Sequence, residues 1–186
     1  MQAFSPFIPM NSKDSGIPGI FFVFKVKNPG QKAVSVSLAA TLQNAVNYDG
    51  RSPIDGVSFP GYGGNVNKVV KQNGVTSIEM SNPKLSPDEH QFGSMTLAAM
   101  SDATALEAWD SCAPLWADFS KDGKLTPVSQ SPSRKGKTWN GALAVPFTLR
   151  PGEEKSVVFM ITWHFPNLYA EYDQNLAKYR LGRHYS

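Results

Sequence analysis

Apolar and polar positions alternate over much of this chain, with the period of two that places successive side chains on opposite faces of a β-strand. The clearest run is Val34, Val36, Leu38, Ala40 and Leu42, interleaved with Ser35, Ser37 and Thr41. One face is expected buried and the other wet, as in an antiparallel sheet. Before it, Phe22, Phe24 and Val26 share one face of a strand from Gly19 to Asn28, with Phe21, Val23 and Lys25 on the other. Asn28-Pro29-Gly30-Gln31 reads as a type II turn, with Gly30 supplying positive φ. Val69–Gln72 and Val75–Ile78 flank Asn73-Gly74, the signal for a two-residue type I′ hairpin. Gly93 to Met100 is a further strand, with Met95, Leu97 and Ala99 alternating.

Toward the end, Leu143, Val145, Phe147 and Leu149 alternate with Ala144, Pro146 and Thr148. Pro146 inside a strand argues for an edge or a bulge. Pro151-Gly152 turns the chain into Val157, Phe159, Ile161 and Trp163, whose opposite face (Val158, Met160, Thr162) is also mostly apolar. That pattern predicts a central strand covered on both sides.

Only one stretch switches period. Pro114 in a first helical turn, Leu115 with Phe119 four residues later, and Gly123 as a stop predict one short helix. Asn44–Asn65 and Leu125–Thr138 read as long loops, and loops of such length are commonly functional or meet a partner. Tyr172, Leu176 and Tyr179 fall at near-helical spacing, equally compatible with a surface helix and an irregular linker. The expected architecture is all-β, an antiparallel β-sandwich with one short helix. Residues 1–168 form the sandwich domain and 169–186 a linker or helix leading onward.

Composition sharpens this picture at few points. Fifteen Gly and 14 Pro suit a protein of many turns. A net charge of +3, with no like-charged block beyond Arg134–Lys135–Gly136–Lys137, argues against a nucleic-acid binder. Cys112 is the single cysteine, so no intrachain disulfide forms; its neighbours Ala113, Pro114 and Leu115 predict a small core residue. No apolar run reaches the roughly 18 residues of a membrane span. The start has neither the basic region nor the apolar stretch of a signal peptide, and compartment stays open.

Candidate chemistry is sparse. Glycoside hydrolysis needs two carboxyls about 5–9.5 Å apart. The adjacent pairs Asp88-Glu89 and Glu153-Glu154 sit in turns with no aromatic bed beside them and read as solvated turn charges. Asp102, Glu107, Asp110, Asp118 and Asp122 are assigned to helix capping and solubility. His90, His164 and His184 lack metal-ligand spacing, so no metal or cofactor is expected. Gly61-Tyr62-Gly63-Gly64 lacks the strand–loop–helix frame of a phosphate loop. One constellation stands apart: Trp163-His164-Phe165-Pro166-Asn167, at the exit of the last strand. It is either a packed strand end or a contact surface for a neighbouring domain or ligand.

Several of these segments carry a family resemblance. Ala3-Phe4-Ser5-Pro6-Phe7-Ile8-Pro9-Met10-Asn11 resembles the AFSPFIP-type segment of family 116 glycoside hydrolases, the family of bile-acid β-glucosidase and non-lysosomal glucosylceramidase. Asp14-Ser15, Pro18, the strand to Lys27, Asn28-Pro29 and the alternating strand follow in the family's order. Phe147-Thr148-Leu149-Arg150-Pro151-Gly152-Glu153 and Trp163–Asn167 resemble its F-x-L-x-P-G-E strand pair and WHFPN signature, and Gly182–Ser186 is similar to the stretch leading into its catalytic domain.

The resemblance implies an N-terminal β-sandwich, supersandwich-like and possibly incomplete, that precedes an (α/α)6 barrel bearing a nucleophilic Glu and an acid/base Asp. No residue here matches those catalytic motifs, so no catalytic residue is assigned. The family's glycine-rich strands upstream of the AFSPFIP segment have no counterpart, and the expected consequence is unpaired strand edges open to homodimerisation or strand addition. The expected function is a non-catalytic structural domain partnered in cis by the barrel, with Trp163, His164, Phe165, Asn167 and Tyr62 as candidate contact residues. A carbohydrate-binding module using Trp109, Trp116, Trp139 and Tyr62, and a stand-alone immunoglobulin-like interaction domain, are the alternatives.

Overall fold

A computed structural model describes residues 1–49, 53–169 and 180–182. Eleven strands and two helices occur among them: β1 (Gln2–Phe4), α1 (Ser12–Ser15), β2 (Gly19–Lys27), β3 (Val34–Gln43), β4 (Val66–Gln72), β5 (Val75–Ser81), β6 (Ser94–Ala99), β7 (Thr104–Trp109), α2 (Cys112–Asp122), β8 (Asn140–Leu149), β9 (Glu154–His164), β10 (Leu168–Tyr169) and β11 (Arg180–Gly182). A six-stranded sheet in the order β1-β2-β9-β6-β5-β4 faces a three-stranded sheet in the order β3-β8-β7. Every described pairing is antiparallel. This is the expected two-sheet fold, with α1 added as a single turn capped by the Asn11 side chain.

The inward-facing residues of the alternating strands make the core. Ile78 and Met80 of β5, Leu97 and Ala99 of β6, Leu143, Val145, Phe147 and Leu149 of β8, and Val157 and Phe159 of β9 are all buried. Each large aliphatic side chain so removed from water contributes roughly 2 kcal/mol. A second cluster lies on the outer face of the small sheet. Ala142 and Ala144 are small enough to let α2 approach, and Leu115 and Phe119 pack there with Leu106, Trp109 and Leu125. Gly123 ends the helix at φ +73°, its N–H donating to Phe119 O.

The Asn73-Gly74 hairpin forms as expected, with φ of +52° and +75° at its two central residues. The turn after β2 differs. Gly30 is not among the residues with positive φ. Instead, buried Asn28 organises the turn through its carboxamide, accepting from Gly30 N and donating to Lys32 O, Leu149 O and Arg150 O. An Asx-type bond from Gly30 back to Asn28 closes the turn without the left-handed geometry.

Pro146 lies in the middle strand of the small sheet, not on an edge strand, and its register opposite Ser37 is unbroken. Asn44 N donates to Trp139 O, which continues the β3–β8 ladder by one pair. Even-numbered residues of β3 are therefore the ones bonded to β8, and Pro146, opposite odd-numbered Ser37, points its missing donor toward the β7 side. There β7 ends at Thr104, level with Ala144. Locally β8 has one neighbour at Pro146, which is why proline is tolerated.

Three further expectations need correction. β9 is central, between β2 and β6, but its outward residues Val158 and Met160 are only half-buried, with no full second cover. The apolar face of β3 is likewise half-buried, because β3 is an edge strand. Cys112 is exposed, standing in the first turn of α2, a helix with no fully buried residue. The helical spacing of Tyr172, Leu176 and Tyr179 falls outside the described residues; on either side of that stretch, β10 and β11 pair with each other.

Candidate functional site

Strand direction sorts the connections into two ends. At one end lie short turns: residues 28–33, Asn73-Gly74, 100–103 and 150–153. At the other lie residues 5–18, 44–65, 82–93 and 110–139, together with the exit of β9. Every sequence-derived candidate contact residue sits at this second end.

A chain of buried carboxamides holds the long loops there. Asn44 and Asn65 have no exposed surface and Asn82 has 3%. Asn44 Nδ2 donates to Val66 O, Ser81 O and Asn67 Oδ1, while its Oδ1 accepts from Val46 N and Asn65 Nδ2. Asn65 Oδ1 in turn accepts from Gly63 N and Asn82 Nδ2. Thr138 Oγ1 donates to Asn44 O at 2.6 Å, and Asn65 N donates to Ser133 Oγ. These side chains supply the bonds that irregular backbone buried beneath the loops cannot make to water. None was singled out from sequence. The available signal was positional: Asn44 follows β3, Asn65 precedes β4 and Asn82 follows β5, each one residue beyond a strand end.

The candidate residues occupy distinct places on this scaffold. Trp163 is half-buried, opposite Met95 on β6, and its N–H donates to Pro18 O. His164 is exposed at the end of β9. The Phe165 ring fills the space that a side chain at residue 93 would need, which explains Gly93. Asn167 is buried and donates through Nδ2 to Pro87 O at 2.6 Å and Glu89 O at 2.7 Å. The segment thus clasps the β5–β6 loop from the side of β9.

Tyr62 lies apart from this clasp, within the 44–65 loop, in edge-to-face contact with Phe59 and tilted against Tyr48. Asn47 links the two regions, with its N–H donating to Gln91 O and its Nδ2 to Gly61 O. Tyr62 is 1% exposed and, among the described residues, its hydroxyl has no hydrogen-bond partner. Desolvation, reinforced by the nearby Tyr48 and Asp49, pushes its pKa up to about 12.

The aromatic residues considered for sugar stacking are mostly committed elsewhere. Trp109 packs in the cluster beneath α2, and Trp139 Nε1 donates to Ser131 O; Trp116 is 66% exposed. The acids close turns and loops. Glu89 accepts from Ser86 N, Glu153 from Arg150 N and Asp122 from Lys124 N. Asp118 accepts from both Thr126 N and Thr126 Oγ1, which holds its carboxyl below the usual range. Glu107, assigned from sequence to helix solubility, is on β7, where its Oε1 accepts from Val69 N of β4. Among the described residues, no group of three or more His, Cys, Asp or Glu could hold a metal ion, and no helix is long and apolar enough to cross a membrane.

The whole chain, residues 1–186, matches the family described as beta-glucosidase 2, glycosyl-hydrolase family 116 N-term. The chain belongs to this family. Among solved structures, it is similar to a putative kojibiose phosphorylase from human microbiome at 12% identity and a TM-score of 0.36. That similarity covers 82% of this chain and 15% of the other, so the chain spans a small part of that structure's length. In this chain the matched region takes the form of two facing antiparallel sheets, with Trp163–Asn167 clasping the β5–β6 loop from β9.

Proposed function

We propose that this domain is the non-catalytic scaffold of a β-glucosidase or glucosylceramidase-like hydrolase, and that its long-loop end packs against an (α/α)6 catalytic domain. The observation that carries the reading is where exposed apolar side chains collect. Phe7 is 78% exposed, Ile8 48%, Met10 105% and Ile17 53%, all in the 5–18 segment at the long-loop end. The segment is nonetheless held in shape. Ser15 Oγ accepts from Ile8 N and donates to Ile8 O, and Asn11 caps α1. Ordered backbone that presents apolar side chains to solvent is the signature of a surface awaiting a partner. The carboxylates of Glu89, Asp118, Asp122 and Glu153 are engaged in turns and loops, which supports a scaffold role for them.

Two measurements test this. The isolated chain should release no aryl group from an aryl β-glucoside above blank, and turnover abolished by a point substitution within the chain would overturn the scaffold assignment. In the full-length enzyme, the double substitution Phe7→Ser and Met10→Ser should lower the melting temperature by several degrees while leaving that of the isolated chain within a degree or so, since neither side chain is buried in it. An unchanged full-length enzyme would remove the interface from this end.

A further inference from the structure

The 44–65 and 110–139 loops enclose a cavity of about 600 Å³, with Val57, Asp110, Gln130, Arg134 and Trp139 among its walls. A second cavity, of about 490 Å³, shares Asp110 and Gln130 with the first, and its other walls include Trp109, Leu115 and Val128. Both volumes fall in the range of about 300–1,000 Å³ usual for small-ligand sites. The first cavity is held from behind by the same carboxamide network that fixes the loops. Thr138 is buried, its N–H donating to Val57 O and its Oγ1 to Asn44 O. Trp139 O accepts from Asn44 N, and Trp139 Nε1 donates to Ser131 O. Those bonds fix the indole as a wall of the cavity instead of taking it away. The shape therefore exists before a ligand arrives, and less ordering entropy is lost on binding.

The polar walls are uncommitted. Asp110, Gln130 and Arg134 are exposed, and among the described residues their side chains make no hydrogen bond or ion pair. Asp110 and Arg134 stand in one cavity without pairing, so it offers a strong acceptor and a fork of donors at once. Gln130, common to both cavities, offers acceptor and donor in one carboxamide. A phosphate or carboxylate ligand would meet Asp110, and a cation would meet Arg134 and Lys137. A neutral ligand dense in hydroxyls satisfies all of them, because each hydroxyl both donates and accepts. The Trp139 indole adds an apolar face beside these groups, suited to the C–H face of a sugar ring.

We propose that the paired cavities bind a short, neutral oligosaccharide. One sugar ring packs on Trp139, its hydroxyls donate to Asp110 and accept from Arg134 and Gln130, and the next ring continues past Gln130 toward Trp109. This goes beyond the scaffold reading and does not rest on it, since the walls come wholly from this chain and the 5–18 segment lines neither cavity.

The test adds cellotriose, laminaritriose and maltotriose singly to the isotope-labelled whole chain, with trigalacturonic acid as an anionic arm, and follows the tryptophan indole N–H signals by NMR. At least one neutral trisaccharide should shift the signals of Trp109 and Trp139 saturably, with a Kd of about 1 mM or tighter. The signal of Trp116, 66% exposed on α2 but outside both cavities, should stay in place. Asp110→Asn and Gln130→Ala change exposed side chains without partners, so each should leave the melting temperature within about a degree of the parent's and weaken binding by roughly threefold or more. Trp139→Ala should abolish binding, and Trp116→Ala should bind as the parent does. No saturable shift with any neutral trisaccharide at about 10 mM would overturn the proposal. Affinity unchanged by both Asp110→Asn and Gln130→Ala would overturn it too, as would equal loss in Trp116→Ala or binding of trigalacturonic acid in place of the neutral sugars. None of these outcomes bears on aryl-glucoside turnover or on the melting temperature of the full-length enzyme, which test the scaffold reading separately.

Discussion

The two ends of this sandwich solve the same problem by different means. At the short-turn end the backbone closes on itself in two to six residues, and local rules suffice: Asn73-Gly74 with positive φ at both positions, and Pro151-Gly152 with φ +74° at the glycine. Buried Asn28 adds a long-range tie, reaching across to Leu149 O and Arg150 O, and Thr76 Oγ1 adds another by accepting from Ala103 N. At the opposite end the connections are long, and local turn chemistry cannot position them. Asn44, Asn65 and Asn82 do so from inside, each bridging segments far apart in sequence. Length therefore does not mean looseness here. The long loops are built on buried polar groups, while the 5–18 segment beside them is held by its own Ser15–Ile8 and Asn11 bonds and by Trp163 N–H to Pro18 O.

The comparison yields graded expectations. Asn44→Ala should be the most damaging, since it takes a bonding partner from Asn65 Nδ2, Val46 N and the carbonyls of Val66 and Ser81 in a site without exposed surface. Unsatisfied buried groups cost about 1–3 kcal/mol each, and partial relaxation brings the total to roughly 4 kcal/mol in urea unfolding. Asn28→Ala removes one organising side chain from a shorter, better-solvated turn and should cost about 2 kcal/mol. A larger loss at Asn28 than at Asn44 would reverse the contrast between the ends.

Tyr62→Phe is the mildest change at neutral pH, within about 0.5 kcal/mol, because the hydroxyl it removes has no partner among the described residues. Its effect lies in alkali. The folded-state pKa is raised from 10.0 to about 12, so the folded chain holds this proton more tightly than the unfolded one. Stability from this group is complete below pH 10 and falls as pH rises toward 12. The phenylalanine variant should lose less stability than the parent over that interval, and parallel denaturation curves at pH 9 and 11 decide it.

These contrasts also explain what sequence reading reached. Strands β2, β3, β4, β5, β6, β8 and β9 were legible because each alternates or sits beside a recognisable turn. β7 was not, since Thr104–Trp109 buries Ala105 toward the main core and Leu106 toward α2. With both faces covered and two alanines in six residues, it has no period of two to read. The turn at residues 28–31 was misread because proline and glycine there signal backbone geometry, whereas the asparagine side chain does the work. The candidate contact segment stands out as an aromatic and polar cluster at the exit of a strand, and its resemblance to the family reinforces it. The carboxamide chain beneath it was not found, because an asparagine before or after a strand looks the same whether it faces water or four bonding partners.

Native-state hydrogen exchange on the intact chain tests most directly whether the long-loop end is held as firmly as the sheets. Gly64 N–H bonds to Ser133 O, Ser133 N–H to Asn65 O, Gly136 N–H to Tyr62 O and Thr138 N–H to Val57 O. If the buried carboxamides fix these loops, the four amides should exchange only through global unfolding, with the same free energy as Leu143 in β8. Exchange at rates near those of an unstructured peptide, while Leu143 stays protected, would show that the end proposed to receive a partner is not pre-formed.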